Sequence, residues 1–224
     1  MSLRPVVFFG VLLLAAATFT LFPEIDPGVS GLFYRPGRGF FLWGNPIIRA
    51  IHDGVPPLTI GLGVALVAVL AWTGWSKRTV LGLSWRSSAY LLAVLAIGPG
   101  LLVNTVLKDH WGRARPSHTI EFGGKKTFTP ALTISDQCDR NCSFVGGHAA
   151  MAFSPMALAF VLRTRRQRRW ALAAGIGTGA IVSLVRIIEG GHFLSDVLFA
   201  GLLVYGVAWG LASILPGNEE AAIP

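Results

Sequence analysis

Two side chains near the C-terminal end of the chain have the spacing of a nucleophile and its supporting carboxylate. Asp196 follows His192 by four residues, which would place both side chains on one face of a helix. The carboxylate can accept a hydrogen bond from one imidazole nitrogen, fix the tautomer and leave the other nitrogen free to attack. A helix N-cap or a simple ion pair is the structural alternative. Because charged groups beside apolar spans are costly, we favour a functional role.

Three cations have the positions expected of anion ligands. Lys108 directly follows an apolar stretch, and Arg115 comes seven residues later. If that stretch is helical, the two side chains point to one side, and Pro116 then ends the helix. Arg186 precedes His192 by six residues. Each cation could instead extend from a helix end toward lipid head groups.

A third motif, Gly146-Gly147-His148, stands at the start of an apolar stretch. Glycines at a helix start leave the first amide hydrogens bare, and these amides with the helix dipole favour an anion such as phosphate. His148 would face that anion. The alternative is an interfacial histidine behind a flexible turn.

Together these residues predict hydrolysis of a phosphate monoester, whose phosphoryl group carries close to two negative charges. The predicted phosphate ligands are Lys108, Arg115, Arg186, Gly146 and Gly147. His192 is the predicted nucleophile that forms a phosphohistidine, and Asp196 stabilises the imidazolium. His148 protonates the leaving alkoxide and later activates water. Since the cations supply the electrostatic stabilisation that a metal ion provides elsewhere, we expect no metal or other cofactor.

The composition predicts that these residues are positioned by membrane helices. Of 224 residues, 53% are hydrophobic and 13% charged, and the mean hydropathy is +0.60. Several charge-free stretches reach the length that a roughly 30 Å hydrocarbon core requires. We therefore predict an all-α, polytopic membrane protein with six transmembrane helices in a single domain over residues 1–224. The predicted spans are Pro5–Phe22, Pro57–Trp75, Tyr90–Leu107, His148–Leu162, Trp170–Ile188 and Val197–Leu215.

Basic residues in the connections favour one orientation. Lys77 and Arg78 lie between the second and third spans, and five arginines crowd Arg163–Arg169 between the fourth and fifth. The positive-inside rule makes these connections cytoplasmic, with both termini, and turns the predicted site outward. The first span could alternatively be a cleaved signal peptide. The polar residues from Pro216 onward are predicted to form a frayed tail.

The two long outer segments have different predicted roles. Pro23–Pro56 is rich in Gly, Pro and aromatic residues and should lie along the membrane interface, either as a connector or as a border of the route by which a lipid substrate arrives. Lys108–Gly147 contains both cysteines, Cys138 and Cys142. In an oxidising compartment we favour a disulfide. A zinc site is disfavoured because two thiols alone do not complete a tetrahedral shell.

The remaining titratable residues near the motifs are given structural roles. We interpret His52, His110 and His118 as loop or interface residues, although His110 lies inside the spacer between Lys108 and Arg115 and could contact substrate. Glu189 should pair with a nearby cation.

The three motifs also resemble a known family. The segments Lys108-DHWGRA-Arg115-Pro116, Gly147-His148 and Arg186-IIEGG-His192-FLS-Asp196 resemble the signature motifs of the type 2 phosphatidic acid phosphatase (PAP2) superfamily. The resemblance covers roughly Ile97 to Phe199. It implies a six-helix fold, a histidine nucleophile in the third motif, a histidine acid in the second and independence of metal ions.

Two positions depart from the usual motifs, and one stretch points to a branch of the family. Gly146 stands where the second motif usually has serine, and Val185 stands where serine usually precedes the arginine of the third. The stretches GPGLLVNTVLKDHWGRARP and SDQCDRNCSFV resemble the lipid A 4'-phosphatases. That branch implies a phosphatase in a bacterial inner membrane with its active site facing the periplasm.

Other functions remain as alternatives. The same chemistry could act on phosphatidylglycerophosphate, phosphatidic acid or undecaprenyl diphosphate, since shared motifs hold the phosphate. A lipid or phosphate transporter is less consistent, because its ionisable groups would lie near the bilayer midplane in related halves. A vanadate-binding oxidase would share the anion site but not the membrane spans. Nucleic-acid binding is disfavoured despite a net charge of +8, because many of the cations lie in short connections between apolar stretches. The sequence does not indicate an oligomeric state.

Overall fold

The computed structural model describes residues 3 to 214, and this part of the chain is mainly helical. The predicted tail from Pro216 and the last residue of the sixth predicted span, Leu215, lie outside the described residues. The helices are α1 (Leu3–Leu21), α2 (Ile25–Gly31), α3 (Pro46–Ser76), α4 (Trp85–Leu95), α5 (Lys108–His110), α6 (Gly147–Phe153), α7 (Arg165–Ile188) and α8 (Leu194–Ile214). A π-helical stretch, Ala96–Leu107, joins α4 to α5, and Ser154–Phe160 continues α6 as a 3-10 helix. The strands β1 (Tyr34–Arg35) and β2 (Gly39–Phe40) pair in an antiparallel hairpin.

Helices occur at all six predicted spans, but fewer than six could cross a membrane on their own. Within residues 3 to 214, four helices are long and apolar enough: Pro46–Ser76, Trp85–His110, Arg165–Ile188 and Leu194–Ile214. A fifth span is possible if α1 and α2, which meet at a bend of 80°, count as one. The prediction of six independent spans is therefore not confirmed.

The predicted fourth span is the shortest, for a local reason. Pro155 lacks an amide hydrogen, and the α-helix gives way to a 3-10 helix at Ser154. Together α6 and its 3-10 continuation extend roughly 25 Å, less than the hydrocarbon thickness. This short element is buried by its neighbours, because α6 packs against α7, α8 and the π-helical stretch.

The core lies where α6 meets α8 and the π-helical stretch. Its buried members include Val103, Val145, Ala149, Ala150, Val197, Ala200 and Val204. Small side chains on α6 let the neighbouring helices approach closely, as is common in membrane bundles. Large apolar side chains on α1, α3 and α7, such as Leu13, Leu58 and Ile181, are exposed instead. An apolar exterior of this kind suits a lipid environment.

The second predicted span begins earlier than expected. Prolines inside a helix normally interrupt it, yet α3 continues through Pro56 and Pro57 and begins at Pro46, where Asn45 caps it by accepting hydrogen bonds from the Ile47 and Ile48 amides. Its 31 residues span about 46 Å, more than a bilayer core. The first turns of α3 therefore extend past the apolar region toward the end of the bundle that carries the predicted site.

Candidate active site

A polar cavity of about 280 Å³ opens at the end of the bundle where α5, α6 and α7 meet. It is lined by Trp43, His52, Lys108, Arg115, Ser117, His118, Asn141, His148, Arg186 and Gly191. Four of the six charged or titratable residues predicted from the motifs are in that set. The structure thus brings together Lys108, Arg115, His148 and Arg186 from three separate chain segments.

His192 lies behind this cavity, next to Gly191, and its side chain is fully buried. Its Nδ1–H donates a 2.7 Å hydrogen bond to the backbone carbonyl of Ser143, which fixes the tautomer. Nε2 has no hydrogen-bond partner among the described residues. Burial lowers the pKa of His192 to about 4, with the charge of Arg186 acting in the same direction and Asp196 opposing. The ring is therefore neutral at pH 7, with a lone pair on Nε2.

Asp196 does not hold His192 as the spacing predicted. His192 precedes α8, which begins at Leu194, so the two residues are not on one helix face. The nearest carboxylate oxygen is 3.7 Å from Nδ1, too far for a hydrogen bond. That oxygen accepts hydrogen bonds from the Ser143 hydroxyl at 2.5 Å and the Phe193 amide at 2.8 Å. Asp196 therefore caps the start of α8, which is the role that the sequence left open as an alternative. Its charge also lies close to the ring of His192.

Arg113, which the sequence analysis did not single out, holds the other oxygen of Asp196. Its Nη1 donates to Asp196 at 2.5 Å, and its Nη2 donates to Asp26 at 2.8 Å. Asp26 in turn accepts from the amide and the hydroxyl of Ser195. All four side chains are buried, so an ionic network fixes the start of α8 against α2.

Arg186 is held by Glu189 and His52, and the role of His52 differs from the one interpreted from the sequence. Its Nη1 donates to Glu189 at 2.5 Å, which confirms the prediction that Glu189 pairs with a cation. His52, interpreted as a loop or interface residue, is in α3 and its Nδ1 lies 3.0 Å from Glu189. The Nε of Arg186 is buried and has no hydrogen-bond partner among residues 3 to 214. A Cβ on Gly191 would overlap the guanidinium, so this close approach requires glycine.

The other two cations approach the cavity from the outer segment. Lys108 is buried, and its Nζ would lie 3.2 Å from a Cβ placed on Gly147. Arg115 donates through Nη2 to the Asn141 carbonyl at 2.8 Å. Burial and the neighbouring charge of Arg186 lower the pKa of Arg115, which still remains charged at neutral pH because an arginine starts so high.

The glycine motif differs in part from its predicted role. The amide of Gly146 donates to the Asp196 carbonyl at 3.1 Å, so it is not free to bind an anion as predicted. A Cβ on Gly146 would lie 3.2 Å from Val197 and 3.6 Å from the His192 ring. This tight packing accounts for glycine at a position where the family usually has serine. Nothing in the structure explains Val185.

His148 completes the cavity wall. Its half-buried ring meets the ring of His52 edge to face, with centroids 4.6 Å apart. Among the described residues no three His, Cys, Asp or Glu are grouped to hold a metal ion. What the site does present is three cations, a neutral imidazole with a free nitrogen behind them, and a second imidazole at the cavity wall. This arrangement can bind an oxyanion and attack its central atom.

The predicted disulfide is present, and it closes the segment that supports these residues. Cys138 and Cys142 are bonded, with Cα atoms 5.6 Å apart. The Cys142 amide donates to the Lys108 carbonyl, so the bridged segment is attached directly to the first motif.

Comparisons with known proteins show which family this chain is similar to. The family model of the PAP2 superfamily matches residues 88–220. A lipid A 4'-phosphatase of Francisella tularensis subsp. novicida is 36% identical over 204 residues, which cover 90% of this chain and 91% of the relative. A lipid A 4'-phosphatase of Rhizobium leguminosarum is 43% identical over 200 residues, covering 83% and 85%.

One solved structure has a similar fold. The crystal structure of a transmembrane PAP2 type phosphatidylglycerolphosphate phosphatase from Bacillus subtilis superposes with a TM-score of 0.61 at 24% identity, covering 97% of this chain and 100% of that chain. At this identity the similarity concerns the fold.

Proposed function

The chain belongs to the PAP2 superfamily, and we propose that it is a membrane enzyme that removes the 4'-phosphate of lipid A at the periplasmic face of a bacterial inner membrane. The chain is similar over most of its length to relatives named for that activity, and their lengths match its own. Both of its termini would then lie in the cytoplasm, as the basic connections favour.

One observation carries the proposal. Two buried nitrogens, Nε of Arg186 and Nε2 of His192, have no hydrogen-bond partner among the described residues, and Arg186 and Gly191, the neighbour of His192, both line the cationic cavity. A buried polar atom without a partner costs free energy, and such atoms in a native fold call for an explanation. A phosphoryl group bound between Arg186 and His192 would accept a hydrogen bond from Nε of Arg186 and present its phosphorus to the lone pair on Nε2 of His192, with its oxygens facing Lys108 and Arg115.

The reaction follows from the positions of these groups. Nε2 of His192 attacks phosphorus in line with the leaving oxygen, a phosphorus–nitrogen bond forms, and the ester oxygen–phosphorus bond breaks. His148 gives a proton to the departing alkoxide and then takes one from the water that hydrolyses the phosphohistidine. The product is inorganic phosphate, and both histidines return to their starting states. The three cations stabilise the charge on the transferred group.

The buried carboxylate contributes through charge rather than through a hydrogen bond. At 3.7 Å from Nδ1, Asp196 stabilises the positive charge that develops on His192 as the phosphohistidine forms. The Ser143 carbonyl keeps Nδ1 protonated throughout and so directs reaction to Nε2.

The experiment is phosphate release by purified protein in detergent from a panel of lipids: lipid A with a 4'-phosphate, phosphatidylglycerophosphate, phosphatidic acid and undecaprenyl diphosphate. We expect preferential release from lipid A, unaffected by EDTA and abolished by His192→Asn. His110→Asn removes an exposed histidine and serves as the matched control. Full activity of His192→Asn would refute the proposed nucleophile, and loss of activity in EDTA would refute the metal-free mechanism.

A further inference from the structure

Glu189 is a buried carboxylate whose contacts place it directly behind the cationic cavity. Its side chain is 3% exposed, and it accepts a hydrogen bond from Nη1 of Arg186. His52 approaches both carboxylate oxygens through Nδ1, at 3.1 and 3.0 Å. Because a carboxylate only accepts hydrogen bonds, Nδ1 of His52 is the donor to Glu189, and Nη1 of Arg186 lies 3.0 and 3.1 Å from the two ring nitrogens of His52. Glu189, His52 and Arg186 thus form a closed triangle.

This triangle reduces the positive charge that the cavity offers. Three cations line the cavity, namely Lys108, Arg115 and Arg186, and Glu189 neutralises one of them. The remaining two positive charges match the roughly two negative charges of a phosphate monoester. A fully uncompensated set of three would bind every phosphate species more tightly, including the inorganic phosphate that must leave after each turnover.

We propose that Glu189 sets the net charge of the phosphate cavity through Arg186 and thereby allows the enzyme to release inorganic phosphate. The inference rests on the proposed phosphatase function and deepens it. Glu189 does not touch the substrate, so it is a positioning residue whose effect reaches the phosphate through the guanidinium. His52 holds the carboxylate in place and links it to the ring of His148 on the cavity wall.

A structural role and a charge-balancing role for Glu189 predict opposite changes in phosphate binding when the carboxylate is removed. If the carboxylate merely held Arg186 in position, its removal would let the guanidinium move away and would weaken phosphate binding. If it balances charge, its removal strengthens phosphate binding, because an additional unit of positive charge acts on the anion at close range. Whether phosphate binding becomes stronger or weaker therefore distinguishes the two roles.

The test is competitive inhibition by inorganic phosphate at fixed ionic strength, measured for wild type and Glu189→Gln. We expect the inhibition constant to fall about tenfold, with lower KM and lower kcat as product release slows. Glu189→Asp keeps the charge and should retain the wild-type inhibition constant. Glu121→Gln removes one exposed negative charge from the outer segment and should also leave it unchanged. An unchanged or weaker inhibition by phosphate in Glu189→Gln would overturn the proposal.

A second measurement applies if Glu189→Gln does not fold in the absence of phosphate. Phosphate should then restore monodisperse protein on size exclusion, because it neutralises the excess charge, whereas chloride at equal ionic strength should not. Failure to recover folded protein in both salts would overturn the proposal. These outcomes are distinct from failure of the proposed function, in which wild type would release no phosphate from any lipid tested.

Discussion

At the scale of single residues, the enclosure of His192 determines its charge and its reactive nitrogen. The ring is fully buried, Nδ1 donates to a backbone carbonyl, and the pKa is lowered from an ordinary 6.5 to about 4. Above pH 4 the imidazole is therefore neutral, with its lone pair on Nε2. As pH falls from 6.5 to 4, a surface histidine would become protonated and lose that lone pair, whereas His192 keeps it.

This shift gives a prediction for the pH dependence of catalysis. The acid limb of kcat/KM, which reports the free enzyme, should lie near pH 4 rather than near 6.5, so protonation of His192 should not lower kcat/KM as pH falls from 6.5 to 5. The rates must first be corrected for the second ionisation of the substrate phosphate, whose pKa is about 6. A corrected profile whose acid limb lies at 6.5 would show that the nucleophile is not a buried neutral histidine.

The three cations of the cavity were predictable from the sequence, whereas His52 on its wall and the supporting network were not. Lys108, Arg115 and Arg186 are costly beside apolar spans, so their type and position already indicated a function. Arg113 is equally buried, but its partner Asp26 is 87 residues away, and no local spacing encodes such a pair. The distance between His192 and Asp196 also depends on where α8 begins, which a spacing of four could not reveal.

At the scale of elements, the segment closed by the disulfide positions groups from the first and third motifs. The Asn141 carbonyl accepts a hydrogen bond from Arg115, and the Ser143 carbonyl accepts one from His192. The bond between Cys138 and Cys142 closes the loop that contains Asn141 and restricts the backbone immediately before Ser143. A short ordered segment of this kind aligns a nucleophile with a phosphate ligand, which matters because small misplacements reduce the rate strongly.

We therefore predict that Cys138→Ser lowers kcat/KM roughly tenfold, since closing so short a loop contributes only about 2 kcal/mol and the loss falls on the segment that contacts Arg115 and His192. Dithiothreitol should reduce wild-type activity to the level of the variant and leave the variant unchanged. The measurement is phosphate release before and after reduction, with the unfolding temperature followed in parallel. Equal activity of oxidised wild type and Cys138→Ser would contradict this role.

The helical elements themselves were only partly predictable. Hydropathy located apolar stretches correctly, because burial in lipid requires them. It could not show that Ser154–Phe160 tightens into a 3-10 helix, nor that α3 continues through Pro56 and Pro57. The second difference matters for function, since the extension of α3 is what brings His52 to Glu189.

At the scale of the whole molecule, α7 separates the two charged ends of the bundle. Its 24 residues extend about 36 Å, slightly more than the hydrocarbon core. The arginines of its first turns, such as Arg165 and Arg166, are exposed, whereas Arg186 in its last turn is buried at the cavity. Because the two groups lie at opposite ends of one helix of membrane-spanning length, we expect them on opposite sides of the bilayer.

The orientation of the whole bundle can be tested with single cysteines. Thr127 and Thr79 are both exposed, Thr127 in the outer segment near the cavity and Thr79 between α3 and α4. The two native cysteines form a disulfide and leave no free thiol in the described chain, so each variant adds one reactive group. In cells with a permeabilised outer membrane, a membrane-impermeant maleimide should label Thr127→Cys and not Thr79→Cys, because the positive-inside rule favours a cytoplasmic position for the end of the bundle that carries the exposed arginines. Both variants should label equally once the inner membrane is dissolved. The reverse pattern in intact cells would place the phosphate cavity in the cytoplasm and contradict the proposed site of hydrolysis.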